Sequence, residues 1–261
     1  MKFSLIICTL GERKKEFTRL IESLEHQTYD NFEVVVVTQG RHDEVLEILA
    51  ASSLKYVHIV TDKRGLSRAR NLGLEKTTGD YVTISDDDCW YPTDALEIVY
   101  RYFIGDYKEI GVLCFQIFDP LNRKFYKIYD KKILNLDIKN IGSRSSIEIF
   151  YRNDAINRRL RFDENFGLGA QYPSGEENIF LADLLKASNK LLYIPEVVVY
   201  HKVKDKVDIV FTPIKMKTVF HMFRKIFGCY KGTAIYYIYL IKHFSKIQNK
   251  LDSFLLQFKG A

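Results

Sequence analysis

Two rhythms of apolar and polar positions alternate along the first hundred residues. Residues 3–8 form an apolar run, as expected of a strand buried on both faces. Phe17, Leu20, Ile21 and Leu24 then recur at helical spacing within residues 14–26. Residues 32–37 are apolar and β-branched and predict a second strand. Residues 44–54 predict a helix, 56–60 a third strand, and 66–74 a helix set between Gly65 and the Gly79-Asp80 turn. Residues 81–85 predict a fourth strand and 93–103 a helix, with Thr93 as its N-cap after Pro92. This β-α-β-α order predicts an α/β protein with a mostly parallel sheet and helices on both faces. Ligands in such sheets bind at the carboxyl ends of the strands. The second half is less regular. Residues 110–118 and 124–129 predict strands, 130–175 a loop-rich region, 178–187 a helix, and 191–201 a short strand pair around Pro195. A basic, aromatic helical region follows from residue 206.

Composition narrows the classes. Of 261 residues, 47% are hydrophobic and 28% charged, which excludes a disordered chain and implies a real core. Cys8, Cys89, Cys114 and Cys229 form no CxxC pair, so they predict reduced thiols of a cytosolic chain, not a disulfide framework or a zinc site. The apolar start is only about six residues long and is followed at once by charge, so it predicts a buried strand and not a signal peptide. The net charge of +6 is uneven: from residue 206 onward ten Lys/Arg face two Asp/Glu, leaving 29 basic and 31 acidic groups before it. That asymmetry points to an anionic partner for the tail, a membrane surface or a nucleic acid. The tail also holds eleven Phe and Tyr, yet its longest apolar run, residues 234–241, is far below the about 20 needed to cross a bilayer. Two outcomes are open: a helix lying on an anionic membrane surface, or aromatics packed on the catalytic domain or on a second subunit.

The stretch from Thr83 to Pro92 holds three consecutive carboxylates, Asp86, Asp87 and Asp88, between a buried strand and a helix. Adjacent carboxylates raise one another's pKa, so their clustering makes sense around a cation. All-oxygen ligation suits Mg²⁺ or Mn²⁺, ions that bridge carboxylates and substrate phosphates. The alternative is a solvated acidic turn that caps the next helix.

Here the chain resembles the family 2 glycosyltransferases, which have the GT-A fold. Asp86-Asp87-Asp88 resembles their DxD element, and Trp90-Tyr91-Pro92 its continuation. The resemblance implies that Asp87 contacts the nucleotide ribose and Asp88 binds the metal, with Asp86 structural or a partner of the metal ligands. Ile7-Cys8-Thr9-Leu10-Gly11 stands where the family's first loop meets base and ribose, which implicates Thr9 and Leu10; Thr9 could equally cap a helix. Gln27-Thr28-Tyr29 with Asn31 and Glu33 resembles the family's QTYxNxE linker. Residues 65–71 resemble its GLSxARN segment, so Arg68 or Arg70 would pair with the diphosphate. Two residues apart on a helix, they cannot both face it, and Arg68 is favoured. One departure concerns the base: many relatives carry an acidic pair after the second strand, whereas this chain has Thr38-Gln39-Gly40. Gln39 can donate and accept, so it could read a base edge; UDP is the first expectation.

Gly175-Glu176-Glu177 resembles the family's GED element at a helix start, which implicates Glu177, or else Glu176, as the general base on the acceptor hydroxyl. Simple complementation of the helix dipole is the alternative. His201, after residues 194–200, resembles the family's closing histidine and would complete the metal site or touch the diphosphate. The resemblance, over residues 3–201, implies an inverting single displacement from a nucleotide diphosphate-sugar onto a saccharide or lipid-linked saccharide. It predicts a GT-A domain over residues 1–205, with 1–105 on the donor side and 106–205 on the acceptor side. The helical extension, 206–261, would contact membrane or a subunit, and the enzyme would work in the cytoplasm, peripheral to the membrane. Rival readings are a nucleotidyltransferase, for which Leu10-Gly11-Glu12-Arg13 is a poor phosphate loop; a basic nucleic-acid-binding module, for which no zinc spacing or RNA-binding signature is present; and a fold that has lost activity.

Overall fold

The computed structural model describes residues 1–154, 156–203 and 210–258. Its first half follows the apolar rhythm closely, as β1 (Phe3–Thr9), α1 (Lys14–Glu25), β2 (Phe32–Thr38), α2 (His42–Ala51), β3 (Tyr56–Val60), α3 (Leu66–Leu74), β4 (Tyr81–Asp86) and α4 (Ala95–Ile104). The predicted spacing in α1 places Phe17, Leu20, Ile21 and Leu24 in the core. Thr93 does not cap α4. The helix starts at Ala95 behind Asp94 without a side-chain cap, and the Thr93 carbonyl accepts from the Thr28 N–H instead.

The second half differs more. It comprises β5 (Val112–Asp119), β6 (Lys124–Phe125), β7 (Leu134–Leu136), β8 (Ile149–Arg152), α5 (Glu176–Lys186) and β9 (Leu191–Tyr200), then α6 (Pro213–Phe227), α7 (Cys229–Lys242) and α8 (Lys250–Phe254). The expected strand over residues 124–129 shrinks to two residues, and the expected loop region contains β7 and β8. The expected strand pair around Pro195 is one continuous strand. Its pairing with β5 jumps from Cys114↔Tyr193 to Gln116↔Val197, so residues 194–196 oppose the single residue Phe115. The bulge holds Pro195, which has no N–H to give to the ladder.

The strands form one sheet in the order β3-β2-β1-β4-β8-β5-β9-β7, with β6 on β5. β1, β2, β3 and β4 are parallel. β8 is antiparallel to both β4 and β5, and β9 is parallel to β5. The two reversals cancel, so β9 ends at the same edge as β1 and β4. Leaving β1, the chain goes to β2 on one side and reaches β4 on the other, which opens a crevice at the carboxyl ends. Helices α1, α2 and α4 cover one face; α3 and α5 cover the other. The expected domain boundary after residue 205 lies outside the described residues. From residue 210 onward the chain is described again: α6 packs on α5 and α7 on α6, around Met216, Phe220, Tyr236 and Leu240. Gly232 permits that second crossing, because a Cβ there would sit 2.4 Å from the Phe223 carbonyl oxygen.

Candidate active site

The acidic run leaves β4 at Asp86 and is held from three directions. Thr9, the last residue of β1, donates its hydroxyl to Asp87 Oδ2 at 2.6 Å and accepts from the Gly11 N–H at 2.9 Å. Thr9 is therefore no helix cap: α1 starts behind Arg13 without a side-chain cap. From the loop after β1, one guanidinium nitrogen of Arg13 reaches Asp87 Oδ1 at 3.0 Å and Asp88 Oδ2 at 2.6 Å. Burial is the largest influence on Asp87 and raises its pKa, against the pull of Thr9 and Arg13.

The third hold comes from β9. Trp90 and Tyr200 form an antiparallel bridge through both backbone N–H groups, which draws the acidic loop onto the end of β9. Arg19 stacks over the Trp90 ring at 3.5 Å and donates to the Asp88 carbonyl at 3.1 Å. His201, the next residue after β9, thus meets Asp88: Nε2 lies 3.1 Å from Oδ1. Its Nδ1 lies 2.8 Å from the Lys202 carbonyl, an acceptor, so Nδ1 carries a proton and Nε2 faces the carboxylate. Burial opposes a charge on this ring, but the Asp88 hydrogen bond and charge outweigh it, and the pKa is raised.

Behind the acidic run is a buried ion network. Arg70, only 1% exposed, donates to Glu176 Oε1 at 3.1 Å, to Asp86 Oδ1 at 3.3 Å and to the Ser146 hydroxyl at 3.0 Å. Arg68 faces away and pairs with Glu164 at 2.9 Å on the surface. Of the two α3 arginines, Arg70 and not the favoured Arg68 is the one the fold brings to carboxylates of this region. Its position was readable: Leu66, Ala69, Arg70 and Gly73 share one helix face, and the last three of these are buried. Glu176 is buried and pinned by Arg70 at the start of α5. Beside it, burial first and then the charge of Glu176 raise the pKa of Glu177 well above the carboxylate range. Neither glutamate lines the cavity in front of the acidic run; the loop through Gly167, Leu168 and Gly169 lies between.

That cavity has a volume of about 370 Å³, within the range for small-molecule sites. Asp86, Asp87 and Asp88 line it with Thr9, Leu10, Gln39 and His201. The fold thus brings together every expected donor-side residue except Arg68. It adds Arg13, Arg64 and Tyr126, which the sequence did not single out. Gln39 has both amide hydrogens engaged, on the carbonyls of Lys63 at 2.6 Å and Gly65 at 3.2 Å. Among the described residues its carbonyl oxygen meets no donor, so it can accept from an N–H on a ligand.

A cation fits this chemistry. The Arg13 guanidinium already sits between Asp87 and Asp88, and the second His201 nitrogen is fixed by a carbonyl in the manner of metal-ligating histidines. Among the described residues no three His, Cys, Asp or Glu side chains converge closely enough to hold an ion unaided. Substrate oxygens would have to complete the shell, as is usual for Mg²⁺ at phosphates.

Comparison with known proteins identifies the family and the fold. The family model described as Glycosyl transferase family 2 matches residues 4–167. The glycosyltransferase GlyA of Streptococcus pneumoniae is 25% identical over 190 residues, 67% of this chain and 27% of that protein. The glucosyl-dolichyl phosphate glucuronosyltransferase of Haloferax volcanii is 35% identical over 101 residues, 37% of this chain and 32% of that protein. The chain thus spans about a third or less of the length of these curated relatives. Among solved structures, S. aureus TarS 1–349 in complex with UDP aligns with a TM-score of 0.70 and 20% identity, over 100% of this chain and 76% of that one. The mannosyltransferase PcManGT from Pyrobaculum calidifontis, in complex with GDP-Man and Mn²⁺, aligns with a TM-score of 0.62 and 14% identity, over 99% and 79%. These likenesses establish the GT-A type of fold.

Proposed function

The chain belongs to glycosyl transferase family 2, and from that membership we propose that it moves a sugar from a nucleotide diphosphate-sugar, UDP-linked first, onto a hydroxyl of a saccharide or lipid-linked saccharide. One arrangement carries the donor assignment: Asp88 after β4 and His201 after β9 meet at 3.1 Å on the wall of the cavity, beside Asp87 and Thr9. Asp88 and His201 would hold a divalent ion, Mn²⁺ or Mg²⁺, and such an ion would supply positive charge for the departing diphosphate. Asp87, oriented by Thr9, binds the ribose. Gln39 offers its free carbonyl oxygen to an N–H of the base, and uracil presents such a group.

Glu177 takes the proton of the acceptor hydroxyl as the oxygen attacks the anomeric carbon and the diphosphate leaves. One displacement inverts that centre. Glu177 suits a base better than Glu176 because Arg70 engages Glu176 directly, and because a raised pKa matches a base to near-neutral pH. Because neither glutamate lines the donor cavity, this role requires the loop at residues 165–172 to shift so that Glu177 reaches the acceptor hydroxyl. Binding of a lipid-linked acceptor at the cytoplasmic membrane face, and self-association, belong to the same proposal.

The test is release of UDP from a panel of UDP-sugars, with Mn²⁺ and with EDTA. Metal-dependent turnover that falls at least a hundredfold in Glu177→Gln, with donor binding kept, supports the assignment. Turnover indifferent to Glu177 would move the base to Glu176 or outside this element.

A further inference from the structure

The residues after Gly228 present a surface that the cavity does not use. α6 is the anchored half of the C-terminal hairpin. Met222, Ile226 and Phe227 pack into the core cluster shared with α5, Lys225 pairs with Asp163 at 2.8 Å, and His221 stacks on Tyr172. α7 lies on α6 through Gly232, Tyr236 and Leu240. Its other face turns outward. Tyr230, Ala234, Ile238 and Ile241 fall within about 80° of one another on the helix. Tyr230 is 92% exposed, Ile238 67% and Ile241 73%. By the same spacing, Lys231 and Lys242 run along one edge of this stripe. α8 extends the other edge: Phe254 meets the Tyr237 ring at 5.4 Å, and Leu251 precedes it by one turn, both exposed. Exposed Phe244 carries the Lys250 ammonium 5.0 Å above its ring.

A helix whose outer face merely met water would be polar there. This one turns its large apolar side chains out. Residues 229–254 also hold four lysines against a single acid, Asp252, whose N–H is capped by Asn249. An apolar stripe edged by lysines is the profile of a helix lying in a membrane interface, with aliphatic stems along the hydrocarbon and ammonium groups at lipid phosphates. A two-fold copy of the chain fits less well, because an isologous contact would set this lysine rim against itself. No helix among the described residues is long and apolar enough to cross a bilayer. We infer that the outer face of α7 and α8 docks on an anionic phospholipid bilayer, with Tyr230, Ile238, Ile241 and Phe254 entering the headgroup boundary. The surface shares no residue with the donor cavity, so its failure would leave the transferase assignment standing. α6 contacts the turn at Gly175, where a Cβ would strike the Met222 sulfur at 2.7 Å, so docking would also fix the Glu176–Glu177 end of α5 relative to the bilayer.

Co-sedimentation of the full chain with extruded vesicles tests this. Binding is expected to phosphatidylcholine vesicles doped with phosphatidylglycerol, and to weaken as salt rises and as phosphatidylglycerol is left out. Each of Lys231→Gln, Lys242→Gln and Lys250→Gln should weaken the partition about fivefold. Ile238→Ser with Ile241→Ser should weaken it by at least about tenfold, with circular dichroism and UDP binding unchanged because both side chains face solvent. Full-chain binding that ignores these substitutions, or no binding to anionic vesicles at low salt, overturns the inference. A dimer in sedimentation velocity that Ile238→Ser with Ile241→Ser converts to monomer also overturns it, in favour of a second copy.

Discussion

Replacing Arg70 by methionine probes the buried frame of the site. The guanidinium joins α3 to the end of β4 and the start of α5, and two of its partners are carboxylates. Asp86 is 39% exposed, so water can take over its half of the interaction, worth under about 1 kcal/mol. Glu176 cannot be relieved in that way. Methionine fills most of the volume but leaves this buried carboxylate uncompensated, a defect that costs about 3–5 kcal/mol. With a urea m-value of about 3 kcal/mol/M for a domain of this size, the midpoint should fall by about 1–1.7 M. Equilibrium urea unfolding, followed by circular dichroism, reads this directly. Adding Glu176→Gln should recover part of the loss, since the stranded charge is then gone. Arg70→Lys should fall between, as an ammonium lacks the fork that spans two partners. A midpoint within about 0.3 M of wild type for Arg70→Met would refute the premise that this ion pair carries the frame.

Other expectations follow from single contacts. Glu177 binds its proton more tightly in the folded than in the unfolded chain. In the window between the two pKa values the folded state therefore holds more protons, and stability should fall as pH rises, a slope that Glu177→Gln removes. The pH profile of kcat/KM should show an ascending limb displaced above the ordinary carboxylate range, absent in Glu177→Gln. Arg13→Ala releases Asp87 and Asp88 from a half-exposed guanidinium, so Mn²⁺ should bind up to about fivefold more tightly in the presence of UDP by calorimetry. Gly232→Ala places a methyl against the α6 backbone and should cost about 1–3 kcal/mol in urea unfolding despite the better helix propensity of alanine.

The sequence made the donor half legible because its signals are local. Each strand of the parallel group is largely one apolar run, and the acidic run Asp86–Asp88 begins on the last residue of β4. What escaped is non-local. β8 is four residues long and sits mid-sheet only because β4 and β5 accept it from both sides. Pro195 broke the pattern of β9, although a bulge in the pairing absorbs it. Arg13 becomes a site residue through carboxylates more than seventy positions away, a contact no spacing reveals. The linker motif at Gln27 turns out to be a stitch: Gln27 donates to the Pro92 carbonyl and accepts from the Leu96 N–H. Glu33 accepts from Lys2, Ser4 and Thr78, which together lower its pKa against the effect of burial.

The most direct test of the donor site is calorimetric titration of UDP into the protein with Mn²⁺ and then with EDTA, for wild type and Asp88→Ala. Binding that needs the metal and is lost in Asp88→Ala is the predicted result. Failure of UDP, GDP, CDP and dTDP alike to bind wild type in the presence of Mn²⁺ would contradict the assignment of this cavity to a nucleotide-sugar.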